Sequence, residues 1–172
     1  WKALRDEIPL CIIIDPNFLP KNINIKILEQ PPLTSNIERN SLTVIRQNFV
    51  EPRTPGKPNP NHAEATIEAI KRGVQFVKNG QCSAICTMPI SKSILKEGAN
   101  FPFPGHTEYL AHLDESKNYA MMLVNKYLRV VPVTIHIPIK DITKYLNTEL
   151  IEKTIKTTHQ ELNRRFSISN PN

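Results

Sequence analysis

The sequence predicts an α/β protein, a mixed sheet with helices on both faces. Three observations lead there. Short apolar runs rich in β-branched residues occur at Leu10–Ile14 and Cys82–Thr87. A segment with helical period lies between them, where Ala63, Ile67, Ile70, Val74 and Val77 recur every three or four residues. Strand-like and helix-like segments then alternate to the end of the chain, the pattern of a sheet covered by its own connections.

Leu10-Cys11-Ile12-Ile13-Ile14 is closed by Asp15-Pro16-Asn17 and reads as a buried strand followed by a turn. Ile23, Ile25 and Ile27 alternate with polar residues, which predicts a second, half-buried strand. From Gln30 to Pro60 the chain holds six of its 15 prolines, so this region is expected to be mostly loop, with one strand near Leu42–Arg46. The helix over Asn61–Lys78 ends at Asn79-Gly80, a C-terminal stop signal. A strand over Cys82–Thr87, a helix opening at Pro89 and a Gly/Pro-rich loop from Gly98 to Gly105 follow. Two further strands fit Tyr119–Val124 and Leu128–His136, with Pro132 marking an edge or bulge. Helices starting at Pro138 and Thr148 are predicted to run to about Leu146 and Phe166.

Bulk properties exclude several classes. The chain has 172 residues, 40% hydrophobic and 22% charged, which is long enough for one domain with a sizeable core. The longest apolar run falls far below the roughly 20 residues of a membrane span. A net charge of +6 raises the question of nucleic acid, but 16 acidic residues are interleaved with the 22 basic ones and no aromatic residues alternate with the basic clusters, so no nucleic-acid partner is expected. Cys11, Cys82 and Cys86 form an odd set without an export signal, which points to free thiols and the cytoplasm. In a strand Cys82 and Cys86 would lie about 13 Å apart, too far to share an ion. No initiator Met precedes Trp1 and the tail after Phe166 reads as a connector, so truncation at both ends is expected.

With five glycines, at 56, 73, 80, 98 and 105, neither a Gly-x-Gly-x-x-Gly fingerprint nor a phosphate-binding P-loop can be written. No Gly-x-Ser-x-Gly elbow is present either. Two places could carry chemistry. Gly105-His106-Thr107-Glu108 stands at the start of a predicted helix, where free backbone N–H groups favour an anion. The same residues also suit a plain structural role, His106 or Thr107 capping the helix and Glu108 offsetting its dipole. His136 ends a predicted strand just before Pro138, where ligands gather in open α/β sheets, although a metal site needs three or more ligands and this motif supplies one. His62 and His159, on predicted helices, read as packing or surface residues.

The runs Thr87-Met88-Pro89-Ile90-Ser91-Lys92, Phe103-Pro104-Gly105-His106-Thr107-Glu108-Tyr109-Leu110, Met121-Met122-Leu123, Leu128-Arg129-Val130 and Thr134-Ile135-His136-Ile137-Pro138-Ile139 occur in that order. In this the chain resembles the 4-hydroxythreonine-4-phosphate dehydrogenases. A weaker likeness continues through Gly56-Lys57-Pro58 and the Glu64–Ile70 stretch, so the resemblance covers most of the chain from Leu10 onward.

The resemblance implies an isocitrate/isopropylmalate dehydrogenase-like fold, with residues 1–172 as the N-terminal α/β portion of a two-domain enzyme. It implies that His106 and Thr107 bind substrate, that His136 is the first of three metal-binding histidines, and that Lys92 lies beside the cleft with no role assigned. It further implies NAD and a divalent metal (Zn, Co or Mg) as cofactors and a homodimer as the working unit. The reaction would be oxidation and decarboxylation of 4-phosphohydroxy-L-threonine to 3-amino-2-oxopropyl phosphate, on the way to pyridoxal phosphate. A relative acting on phosphorylated threonate or erythronate would share these motifs. The family's opening Gly-Glu-Pro-Ala-Gly loop and its later Asn-Pro-His-Ala-Gly and Tyr-His-Asp-Gln-Gly segments are not in this sequence. The 172 residues alone are therefore expected to be inactive, as a non-catalytic domain would be.

Overall fold

A computed structural model describes residues 7–33 and 37–171, which fall into two compact units dividing after Asp114. The expected tail of a helix at the N-terminus lies outside the described residues.

The first unit is built on a three-stranded parallel sheet of β1 (Cys11–Ile14), β2 (Ile25–Leu28) and β3 (Leu42–Arg46), in the order β1-β3-β2. Cys11 pairs with Thr43 on one side of β3, and Ile25 pairs with Leu42 on the other. Leu42, Thr43, Val44 and Ile45 are all buried, as a central parallel strand covered on both faces should be. The end of β1 is tied to the end of β3 by Asp15, which is 7% exposed. Its carboxylate accepts from the backbone N–H of Asn17 at 2.9 Å and of Phe49 at 3.3 Å. A buried carboxylate is tolerated when backbone donors satisfy it, and these two fix the turn through Pro16–Phe18.

Helix α1 (Ala63–Lys78) follows a 3₁₀ turn at Pro60–His62 and ends as expected, at Asn79 and a left-handed Gly80 with φ +71°. Its entry is held by Glu51, whose carboxylate accepts from the side-chain amides of Asn59 and Asn61. His62 packs edge-on to Phe49 and touches Phe18, the packing role expected of it, while His159 is exposed. On the sheet side, Ile13 and Ile85 both press on Gly73, where an added methyl would stand 2.6 Å from Ile85 Cδ1.

Helices α2 (Lys92–Ala99) and α3 (His106–Asp114) complete the core with α1. Ala63, Ile70, Leu95, Phe101 and Tyr109 form its centre. Phe101, Phe103 and Tyr109 meet with ring centroids 5.0–5.3 Å apart, and His112 stacks on Phe103 at 4.9 Å. Edge-to-face aromatic contacts of this kind add to the burial of the rings themselves.

The second unit holds a two-residue antiparallel pair, β4 (Leu123–Val124) with β5 (Arg129–Val130), then α4 (Ile142–Tyr145) and α5 (Thr148–Phe166). The Asn125 side chain accepts from the N–H groups of Tyr127 and Leu128 and closes the turn between the strands. Asn147 caps α5 by accepting from Leu150 N–H at 2.8 Å.

The mixed α/β class holds, but four expectations are corrected. The sheet is not one mixed sheet under two helical layers: a parallel sheet and a separate antiparallel pair take its place. Cys82–Thr87 joins no hydrogen-bonded ladder among the described residues: Cys82, Ile85 and Thr87 are half-buried, Ser83, Ala84 and Cys86 are exposed, and no strand pairs with the run. The strands predicted over Tyr119–Val124 and Leu128–His136 shrink to β4 and β5, whose Leu123, Val124 and Val130 face outward. Helix α2 begins at Lys92 rather than at Pro89, since Ser91 keeps an extended backbone.

Candidate substrate site

The site is built around the start of α3. The carbonyl of Gly105 accepts the first helical bond, from Tyr109 N–H at 3.3 Å. Gly105 therefore stands in the capping position, and His106 and Thr107 occupy the first turn, where neither needs to cap anything. That removes the structural role offered for them by the sequence. Their side chains are half-buried, and the helix that carries them is fixed by the aromatic cluster of Phe101, Phe103 and Tyr109.

Two buried polar atoms here have no partner among the described residues: His106 Nε2 and Glu108 Oε2. Native structures leave few such atoms unpaired, because each costs the desolvation of a polar group, and those that remain call for a functional account. The His106 ring is held below the ordinary histidine range, first by its burial and then by the positive charge of Lys92. It is thus kept as neutral imidazole, one nitrogen donating and the other accepting.

Lys92, the first residue of α2, is the group whose part the sequence left open. A methyl built on Gly105 would sit 3.8 Å from both Nζ and Cε of Lys92 and 3.6 Å from Glu108 Oε2. The ammonium thus comes over the first turn of α3, within ordinary contact of where such a methyl would stand. The signal was present as Pro-x-x-Lys, but the approach of two segments more than ten residues apart could not be read from either.

His136 lies in the second unit, exposed, at φ +57°. It does not end a strand, since β5 stops at Val130. A non-glycine residue in the left-handed region is uncommon, and such outliers cluster at functional positions. No group of three or more His, Cys, Asp or Glu able to hold a metal occurs among the described residues. A single exposed imidazole does not by itself make a metal site, which takes three or more ligands.

A cavity of about 450 Å³ lies beyond the carboxyl ends of β1 and β3, lined by Asp15, Phe18, Phe49, Glu51 and Arg53 among others. Sequence reading marked none of these as site residues. The half-buried thiol of Cys11 is pushed up to about 11, by desolvation first and then by neighbouring Cys82. This is an adjacency that 70 residues of intervening chain concealed.

Comparison with known proteins agrees with the motifs. The family model described as pyridoxal phosphate biosynthetic protein PdxA matches residues 6–172. The chain belongs to this family. It is 41% identical to the 4-hydroxythreonine-4-phosphate dehydrogenase of Roseobacter denitrificans over 99% of its own length and 53% of that protein. It is 39% identical to the enzyme of the same name from Paracoccus denitrificans, again over 99% and 53%. The crystal structure of 4-hydroxythreonine-4-phosphate dehydrogenase from Klebsiella pneumoniae superposes with a TM-score of 0.82 at 25% identity, covering 95% of this chain and 52% of that one. The chain thus spans about half the length of the curated relatives it matches. No helix among the described residues is long and apolar enough to cross a membrane.

Proposed function

We propose that a family-length protein containing this chain is an NAD-dependent, divalent-metal-assisted dehydrogenase. It oxidises and decarboxylates 4-phosphohydroxy-L-threonine to 3-amino-2-oxopropyl phosphate in the synthesis of pyridoxal phosphate. Membership of the family supports the pathway. The observation that carries the site is the neutral, unpartnered His106 ring set beside Thr107 on the first turn of α3.

Within this reading the chain supplies binding and orientation. His106 accepts a hydrogen bond from, or donates one to, a substrate hydroxyl, and Thr107 adds a second hydroxyl contact. Two fixed points hold the carbon that loses hydride at a constant distance from the nicotinamide. His136 is one of the ligands of the divalent ion, whose other ligands are not among the described residues. When bound, that ion supplies the charge that lowers the pKa of the reacting hydroxyl. Residues 1–172 are then the N-terminal α/β portion of a two-domain, isocitrate/isopropylmalate dehydrogenase-like enzyme that works in the cytoplasm as a homodimer.

The test is NADH formation by the family-length protein with 4-phosphohydroxy-L-threonine, NAD and Zn²⁺, Co²⁺ or Mg²⁺, with phosphorylated threonate and erythronate offered in parallel. His136→Ala should abolish turnover and leave the circular dichroism spectrum unchanged, since His136 is exposed. Unimpaired turnover by that variant would remove His136 from the metal site. Preference for a phosphorylated sugar acid would move the substrate to the other class.

A further inference from the structure

We propose that Lys92 belongs to the substrate site as the cation that receives an oxyanion of the substrate, carboxylate or phosphate, beside His106 and Thr107. The inference rests on the reading of His106 and Thr107 given above and extends it to a residue on a different helix.

Four observations carry it. The Lys92 ammonium has no hydrogen bond or ion pair among the described residues, whereas Lys71 on α1 has one with Glu68. Both Cε and Nζ lie close to Gly105, each 3.8 Å from where a methyl on that residue would stand, so the side chain is laid over the start of α3. Its field reaches the His106 ring closely enough to disfavour a second positive charge there. Finally, His106 Nε2 is buried and unpaired. A cation, a neutral imidazole and the Thr107 hydroxyl together suit an oxyanion flanked by a hydroxyl, which both ends of a phosphorylated hydroxy acid offer. Glu108 is the other charged group facing this gap, its Oε2 being 3.6 Å from the same built methyl. Its carboxylate offsets excess positive charge and favours a substrate that also carries a hydroxyl or amine donor.

The role is binding, so it can be read without NAD, metal or turnover. The His106 ring signals of the 172-residue chain are followed by heteronuclear NMR during titration with inorganic phosphate and, separately, acetate. Saturable shifts are expected with one of the two, and the responsive ion tells whether Lys92 meets the phosphate or the carboxylate end. Lys92→Met should weaken that response about tenfold or more, the effect of losing one charge-assisted hydrogen bond, whereas Lys92→Arg should retain most of it. Lys92 is exposed, so both variants should keep the fold. Absence of any saturable shift in the unmodified chain, or an equal response from Lys92→Met, overturns the proposal. If anion binding behaves as expected while the family-length protein fails to form NADH, the proposed reaction falls and the role of Lys92 stands. Full turnover by Lys92→Met with unchanged substrate affinity removes Lys92 alone.

Discussion

At the scale of the residue, protonation is the property most open to measurement. His106 titrates below 6.5 in the folded chain and near 6.5 when unfolded. The unfolded chain therefore binds more protons in between, so this residue's contribution to stability is full above about 6.5 and is lost as pH falls through that window. An NMR titration should find its midpoint below 6.5. Lys92→Met should raise it by removing the lysine's charge, leaving the part due to burial. Cys11 behaves oppositely. Its thiol stays protonated until about pH 11, so the fold prefers the neutral form and loses this preference as pH climbs above 9.0. Alkylation by iodoacetamide at pH 8, read by mass spectrometry, should label exposed Cys86 first and Cys11 last.

At the scale of the element, close approach decides more than propensity. Helix α2 crosses the Pro60 turn so tightly that a methyl on Gly98 would come 2.0 Å from the Pro60 carbonyl oxygen, which is backbone and cannot swing away. In an open helix Gly→Ala stabilises by about 1 kcal/mol. Here the sign reverses, and Gly98→Ala should cost roughly 1–3 kcal/mol in urea unfolding. Phe101→Ala, which empties the centre of the aromatic cluster, should cost about 3–5 kcal/mol by the same measurement. Elements whose pattern is local and strong were legible in the sequence: β1, β3, α1 and α5 stand where apolar period and stop signals put them. The run Cys82–Thr87 misled because β-branched content reports inward-facing side chains, while a strand also needs a partner for its backbone. The candidate site was half legible. His106 and Thr107 announce themselves at a helix start, but the approach of Lys92 to Gly105 exists only once α2 and α3 are packed.

At the scale of the whole molecule, the two units differ in how much they bury. From Glu115 onward only Thr157 and Leu162 are buried among the described residues, and Tyr127, Leu128, Ile139 and Phe166 are exposed. The other buried side chains named above all lie in the first unit, in the sheet, in α1 to α3 and in the segments that join them. Local stability follows buried apolar contact, so amide hydrogen exchange followed by mass spectrometry should be slowest in β3 and α1 and fastest across β4, β5 and α4. Equal protection in both units would contradict this distribution.

The middle strand of the parallel sheet is also the last of its three strands in the chain. Neither outer strand touches the other, so both must wait for Leu42–Arg46 before either gains a neighbour. As the chain emerges from the ribosome, neither β1 nor β2 gains its neighbour in this sheet until that segment is out. A single late event then zips both sides at once, with Asp15 fastening the seam to Phe49 as it closes.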